Sequence, residues 1–545
     1  MTDAPEYRSA GGVILPRPAA SYAPGMDASR RAASTSDQVL KAWRPPLLPP
    51  DRAWTYERGT AVARTRDLVA NEPWAVAAVE RPLAMIVGND FRYSAKASLM
   101  AKRLGIPFEE ADQLAGEIEA AWENWAYDPM FRADWERDLT WGGLANLMVR
   151  HYLVDGEGLA VLRWDEEDTA DHLNGWRWRT SMQIVDPDRL SSPMGRMDSP
   201  TLINGVETDG RQTVAFHIRE AHPNDPLAFG KQLRWERVEA RTDWGRPVVV
   251  HLRKKTRAGE KRGVSALVAG LRKFKMLARY GDSELQAAAV NALFAAVIYT
   301  DRSRGDVEEA LDIESMAKSA DARDTYYGEV NPRLSDGSKL PVLWPTDKLE
   351  MMTAQRQASA YAQFQTAFLQ ALASGFGMSY EQLSMDWSKT NYSSARAALV
   401  ETWRQIMDAR RLVQNQMAQP VLLAVIEEAL DRGMIRQPAG CPDLYDNPAG
   451  WLAGHWIGPG RGWVDPVKEA QAAQLRIETG LSTLEAETIE STGGDWEANL
   501  GQRAAEREAF AALGLDVPGM PAAAPADDPA QDEQRGESQL AVAAE

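Results

Sequence analysis

Residues 371–396 read Ala371-Leu372-Ala373-Ser374-Gly375-Phe376-Gly377-Met378-Ser379-Tyr380-Glu381-Gln382-Leu383-Ser384-Met385-Asp386-Trp387-Ser388-Lys389-Thr390-Asn391-Tyr392-Ser393-Ser394-Ala395-Arg396. A small-residue run ends in two glycines, a polar loop follows, and a new helical run begins after Asn391. Gly375 and Gly377 suit a helix end where a Cβ would clash, and Asn391 suits a left-handed step before a Ser393-Ser394 cap. Upstream, Tyr361, Phe364, Phe368 and Leu372 make one apolar stripe at helical spacing. Downstream, helical spacing continues to Arg432-Gly433, with an interruption expected at Pro420. The stretch reads as helix, polar loop, helix.

Working outward, residues 299–350 are polar and turn-rich, with Pro332, Pro341 and Pro345 breaking any helix. Before them the spacing predicts a long helix from about Ser265 to Ile298, interrupted near Gly281-Asp282. Its Ala-rich half, Ser283 to Val297, suits close packing against copies of the same helix, or equally an ordinary helix of mixed burial. Helix, irregular segment, helix would place 299–350 at the tip of a two-helix stalk. The preceding Lys254–Arg262 stretch is basic and hairpin-like. From about Leu162 to Leu252 the pattern is β-rich, as in Gln183-Ile184-Val185 and Thr213–Ile218, with turns at Asp186-Pro187-Asp188, Thr208-Asp209-Gly210 and Asp243-Trp244-Gly245. Residues 51–163 read as helical. Asn71 stands as a cap before Glu72-Pro73, and Leu114, Ile118, Trp122 and Trp125 fall on one face, as core residues do.

The ends are different. Residues 1–50 are rich in Pro, Ala, Ser and Arg and close on Pro45-Pro46-Leu47-Leu48-Pro49-Pro50, an extended arm that either orders on a neighbouring subunit or stays disordered. From about Pro518 the chain is Ala- and Pro-rich, with net charge −4 over Ala522–Gln534. The architecture is mainly α with a β-rich insert, an α+β fold, and 545 residues call for several structural regions.

Apolar residues at 44% and charged residues at 26% are those of a globular protein. No run approaches the ~20 apolar residues needed to span a bilayer, so no membrane partner is expected. Met1–Glu6 has no basic or apolar leader, and the single cysteine, Cys441, excludes an internal disulfide framework; synthesis in a reducing cytoplasm is expected. Net charge is −17, whereas tight DNA binders carry a basic excess. An ordinary acidic protein fits that balance, and so does a surface past which DNA must slide without sticking.

Enzyme signals are missing. The chain has no phosphate-loop motif, no Gly-x-Ser-x-Gly elbow and no His-Glu-x-x-His pair. Its six histidines are dispersed; His217, Glu220 and His222 come closest to a metal cluster, but on a strand the two histidines would point to opposite faces. No catalytic residue, metal or cofactor is predicted. Abundant carboxylates beside 19 tryptophans leave one alternative, a carbohydrate-active hydrolase using paired carboxylates and aromatic stacking.

The 371–396 stretch resembles the lambda-type family of tailed-phage portal proteins, which are head-tail connectors. That family has a small-residue helix end, a Gly-x-Ser-Tyr-Glu step, an acidic-aromatic-Ser loop, and Asn-Tyr-Ser-Ser opening a helix. A second block is similar: Trp456-Ile457-Gly458-Pro459-Gly460, Trp463-Val464-Asp465-Pro466-Val467-Lys468-Glu469-Ala470, Gly480-Leu481-Ser482-Thr483-Leu484 and Gly494-Asp495-Trp496. Weaker likenesses lie at Ile203–Gly210 leading to His222-Pro223, and at Arg262-Gly263-Val264-Ser265. Arg461-Gly462 and Trp387 depart from the family pattern.

The resemblance implies a non-enzymatic ring, usually of twelve subunits, at one capsid vertex of the virion. It implies a conduit for double-stranded DNA during packaging and ejection, and a docking platform for the terminase large subunit, the head-tail adaptor and the major capsid protein. The expected regions are an arm (1–50), a wing (51–262 and 395–465), stem helices (263–298 and 351–376) flanking a clip (299–350), a tunnel-facing loop (377–394), a crown (466–515) and a disordered acidic tail (516–545). The resemblance also places Asp386, Trp387, Ser388, Lys389, Thr390 and Asn391 at the channel. There Lys389 would contact phosphate and Trp387 would anchor or obstruct; a buried subunit contact is the other reading of this loop.

Overall fold

A computed structural model of the chain describes residues 42–165, 178–293, 297–300, 325, 347–350, 358–388, 390–463 and 465–515. The expected arm before residue 42, the tail from 516 and most of 299–350 lie outside the described residues.

The chain enters through α1 (Pro50–Asn71) and α2 (Pro73–Ile86), each with proline in its first turn, where the missing N–H breaks no helical bond. Asn71 is the last residue of α1 and not a cap: its amide turns back to the Asp67 carbonyl at 2.9 Å, and α2 starts from Glu72 without a side-chain cap. Next come β1 (Arg92–Ala95), α3 (Ala97–Leu104), α4 (Phe108–Ala126) and α5 (Trp141–Asp155). Glu109 and Glu110 sit in the first turn of α4, where the helix dipole favours them. Leu114, Ile118, Trp122 and Trp125 are all buried, as their spacing predicts.

The β-rich insert holds β2 (Glu157–Trp164), β3 (Thr180–Val185), β4 (Leu202–Ile203), β5 (Val206–Thr208), β6 (Thr213–Arg219), β7 (Trp235–Glu239) and β8 (Val249–Arg253). They form two antiparallel sheets, ordered β3-β2-β8 and β4-β5-β6-β7. Leu159, Val161 and Val185 of the first pack with Val206, Phe216, Ile218 and Val238 of the second.

Two helical expectations shift in the next stretch. The Lys254–Arg262 segment forms no strand hairpin. After it, α6 (Leu267–Leu293) continues through Gly281, because Tyr280 packs its ring at a tilt against Tyr361 and Phe364, 5.5 and 4.6 Å between centroids, which offsets the ~1 kcal/mol that a helical glycine costs. The helix then yields to a strand: β9 (Val297–Thr300) pairs antiparallel with β10 (Asp347–Glu350), which joins the two ends of the 299–350 segment.

The chain continues through α7 (Ala358–Gly375), α8 (Tyr380–Ser384), α9 (Tyr392–Val413), a π turn at Gln414–Ala418 and α10 (Gln419–Asp431). Pro420 therefore does not end a helix. It sits in the first turn of α10, and the widened turn just before it absorbs the missing donor. Then follow α11 (Pro448–Trp451), β11 (Gly454–Ile457), α12 (Pro466–Glu478), α13 (Leu484–Thr492) and α14 (Trp496–Ala512).

Two helical cores organise the rest. The larger gathers Trp122, Trp125, Trp141, Trp456 and Phe91, with Trp122 centred 5.0 Å from Trp141 and 5.2 Å from Trp456. It joins α4, α5, α10 and the β1–β11 pair, so residues 406–457 close on residues 83–149. The second core, with Leu68, Val79, Phe274, Leu372 and Leu383, binds α1, α2, α6, α7 and α8 and carries the loop that follows α8.

Candidate functional site

The 384–391 loop is tied down at both ends. Ser379 opens α8 with a capping box: its hydroxyl accepts from Gln382 N at 3.2 Å, and Gln382 Oε1 accepts from Ser379 N at 3.0 Å. The same Oε1 accepts from the Thr402 hydroxyl at 2.6 Å, and Arg81 of α2 donates to the Gln382 carbonyl. The left-handed glycine is Gly377 alone (φ 70°), where a Cβ would run into the Gln405 amide; Gly375 faces open space with ordinary φ. Met385 (φ 58°) then turns the chain out of α8.

Within the loop, the Asp386 carboxylate accepts from Ser388 N at 3.1 Å, Ser388 Oγ at 2.6 Å and the Tyr380 hydroxyl at 3.4 Å. The Thr390 hydroxyl donates to Glu381 Oε1 at 3.3 Å. Asn391 is extended (φ −86°), not left-handed, and it replaces Ser393-Ser394 as the cap of α9, with Oδ1 accepting from Ser394 N at 2.9 Å. Trp387 is 36% exposed, and Lys389 lies outside the described residues. The structure thus brings Asp386, Trp387, Ser388, Thr390 and Asn391 into one turn, with the Asp386 carboxylate directed at Ser388 and Tyr380 and the Asn391 amide oxygen at the first turn of α9.

Three polar clusters went unseen in the sequence. The first surrounds Glu157, whose side chain is 0% exposed. It accepts from Arg58 at 2.5 Å, Arg262 Nε at 2.7 Å and Gly263 N at 3.0 Å, and lies 2.9 Å from His251 Nε2. Burial would raise this carboxyl, but Arg262, Arg58 and His251 outweigh it and hold it well below the usual range. Burial pushes the His251 imidazole down to about 4 against the pull of Glu157. Arg262 also donates to the carbonyls of Leu190, Asn204 and Pro187, so one guanidinium joins both sheets to the start of α6. Gly156 (φ 90°) and Gly263 let the two backbones meet there; a Cβ on Gly263 would collide with the Gly156 carbonyl.

Beside it, Arg66 of α1 bonds Asp155 at 2.7 Å, Asp186 at 2.9 Å and Asp188 at 2.9 Å. Ligand atoms of Asp186, Asp188 and His222 lie within 4.8 Å of one another, but the Arg66 guanidinium already supplies the positive charge to both carboxylates. The sequence cluster of His217, Glu220 and His222 does not converge: His217 Nε2 meets Glu207 at 2.9 Å and His222 meets Asp188 at 3.4 Å.

The third cluster joins the larger core to the C-terminal helices. Lys96, 6% exposed, sits 3.0 Å from Glu485 of α13 and 3.6 Å from Glu497 of α14. Asp495 caps α14 by accepting from Glu497 N at 2.8 Å, and His455 lies 3.7 Å from Glu485. Glu119 accepts from Ala95 N at 2.6 Å; burial, with Asp495 and Glu497 adding, pushes its carboxyl up to about 7. Glu157 could have been noticed as a lone acid opening the apolar run Gly158–Leu162, but Arg58 and Arg262 lie 99 and 105 residues away and no spacing rule links them.

Each cluster fastens one element of the α+β fold to another. Comparison with known proteins gives that class its family. A model described as phage portal protein, lambda family, matches residues 36–410. Portal protein B of Escherichia phage lambda is 32% identical over 499 residues, covering 89% of this chain and 90% of that protein. The portal protein of Escherichia phage N15 is 31% identical over 499 residues, covering 89% and 91%. Among solved structures, a chain from the neck of an empty gene transfer agent particle aligns with TM-score 0.40 and 14% identity, covering 84% of this chain and 98% of that one. The chain belongs to the lambda family of phage portal proteins; its function is that of a portal protein, structural and not enzymatic. Nothing in these relatives supports the hydrolase alternative. The block at 456–496 lies past the residues that the family model matches. No helix among the described residues is long and apolar enough to cross a membrane.

Proposed function

We propose that the chain assembles as a closed ring at one capsid vertex of a virion, twelve subunits in the assembled particle, after synthesis in the host cytoplasm. Double-stranded DNA passes along the axis during packaging and ejection. In this reading residues 51–262 and 395–465 form the wing, 263–298 and 351–376 the stem, 299–350 the clip and 466–515 the crown. The clip receives the terminase large subunit and later the head-tail adaptor, and the wing meets the major capsid protein. The loop from Asp386 to Asn391 faces the channel, with Lys389 as its phosphate contact and Trp387 at its surface.

The observation that carries this reading is the likeness to the lambda and N15 portal proteins along 89% of the chain. The loop suits a channel wall: Asp386 accepts from Ser388 and Tyr380, and Asn391 from the first turn of α9, so DNA slides past without being gripped. Native mass spectrometry and negative-stain imaging test it. Twelve copies of a 60.3 kDa chain give a ring of roughly 0.7 MDa with an axial hole. A monomer at every concentration would sink the proposal.

A further inference from the structure

The three C-terminal helices join the rest of the chain without an apolar core. α12 and α14 have no buried residue, and the only one in α13 is Glu487. None of their side chains belongs to either helical core or to the core between the two sheets. Isolated helices of this length are marginal in water and ordinarily owe their stability to a packed apolar face. Here polar contacts take its place. Within the group, Arg476 of α12 donates twice to the Glu487 carboxylate of α13, at 2.7 and 2.6 Å.

Alternation along β1 builds the seat for these helices. Tyr93 and Ala95 enter the larger core, so Arg92 and Ser94 point the other way, and His455 of β11, paired with Ser94, shares their face. From that face Arg92, itself 2.9 Å from Asp90, donates to the Gly493 carbonyl at 2.9 Å, between α13 and α14. Lys96, almost wholly buried at the end of β1, reaches Glu485 of α13 and Glu497 of α14, with Asp495 close by. From α4, Glu119 faces the same Asp495, Glu497 and Lys96, with the buried Tyr93 behind it. One ammonium thus meets four carboxyls. A proton on Glu119, or on His455 at 3.7 Å from Glu485, reduces that negative excess.

A pivot lies beside the seat. Arg410 of α9 donates to the Pro459 carbonyl and fixes that residue to the larger core's side. Arg461 belongs to the other side: it pairs with Glu490 of α13 at 3.0 Å, and its backbone N–H donates to the Glu490 carbonyl at 2.8 Å. Only Gly460 separates the two anchor points.

We infer that α12, α13 and α14 move as one unit about Gly460, docked on the β1–β11 pair while the charge around Lys96 is balanced and released when it is not. Both sides of this contact lie in one chain, so the inference stands or falls separately from the ring.

Hydrogen exchange on the full chain tests it. Raising NaCl from about 0.05 to about 0.5 M screens the partly exposed Glu485 and Glu497. The amides of α13 and α14 are expected to exchange about threefold or more faster at the higher salt, whereas those of α4 and α5 stay unchanged. An apolar contact would not loosen with salt. Lys96→Met leaves the carboxyls without their cation, and should speed exchange in α13 and α14 about tenfold at low salt while abolishing the salt response. If that variant also disturbs α4 and α5, the salt series on the unaltered chain decides alone. Exchange in 466–515 that ignores salt, or that rises only in step with α4 and α5, overturns the inference.

Discussion

Replacing Glu157 by Gln should produce a large loss of stability in the region where α1, the two sheets and the approach to α6 meet. The carboxylate is fully enclosed and sits between two guanidiniums that are themselves almost wholly buried, Arg58 and Arg262. Gln keeps the shape and one acceptor but removes the charge, so two cations are left in the interior without their counterion. Breaking a buried pair from one side costs about 3–5 kcal/mol. Spread over a cooperative unit of 150–250 residues, at about 2–4 °C per kcal/mol, the first thermal transition should fall by about 6–20 °C. Differential scanning calorimetry at pH 7 reads this directly.

The pH dependence supplies an internal check. The folded carboxyl lies well below its unfolded value, so its contribution is present above the unfolded pKa and is lost as pH falls. The gap between wild type and Glu157→Gln should therefore be full at neutral pH and shrink below about pH 4.5. A double variant, Glu157→Leu/Arg262→Met, should lose less than the sum of its single changes, because it removes one of the two guanidiniums together with the carboxylate and leaves only Arg58 without its counterion. A shift under about 2 °C for Glu157→Gln would refute the reasoning, since it would mean that solvent or rearrangement neutralises the two arginines at little cost.

Three further outcomes are expected. Glu119 has its folded pKa raised to about 7, so docking of α13 and α14 is firmest below the unfolded carboxyl pKa and loosens as pH rises through 7; Glu119→Gln should match wild type at pH 5 and protect 466–515 from limited proteolysis at pH 8, by about 1 kcal/mol after solvent screening. Gly156→Ala places a side chain at φ 90° against the backbone of Val264 and Ser265, and should lower stability by at least about 1–3 kcal/mol, with hydrogen exchange rising at the start of α6. Lys389→Ala should change DNA packaging or retention while native mass still shows the ring; loss of the ring would make the loop a structural contact instead.

Some of this protein was legible one residue at a time. The stripe Leu114, Ile118, Trp122 and Trp125 predicted a buried face because helical spacing alone decides which side chains share a side. The switch to alternating runs at about Leu162 announced the later strands for the same local reason, but β1 and nearly all of β2 (Glu157–Trp164) fall in the stretch read as helical, because their pairing partners lie far along the chain. Capping was legible only in type. Ser379 of the Gly-x-Ser-Tyr-Glu step is half of a capping box, whereas Asn71 is not a cap, because Pro73 two residues on starts the next helix past it. Gly281 and Pro420 show the limit of breaker rules: each local cost is near or below what neighbouring aromatic packing or a widened turn returns.

What the sequence by itself determined was the α+β class, the core faces and the family, since short-range periodicity and ordered motifs survive without coordinates. Only the tertiary structure decided which charges meet. Arg58, Glu157, His251 and Arg262 are scattered over about two hundred residues and become one cluster because α1, β2, β8 and the approach to α6 converge at Gly156 and Gly263. Lys96 finds Glu485 and Glu497 in the same way. Buried electrostatics depends on distance and desolvation, and neither quantity has any period along the chain.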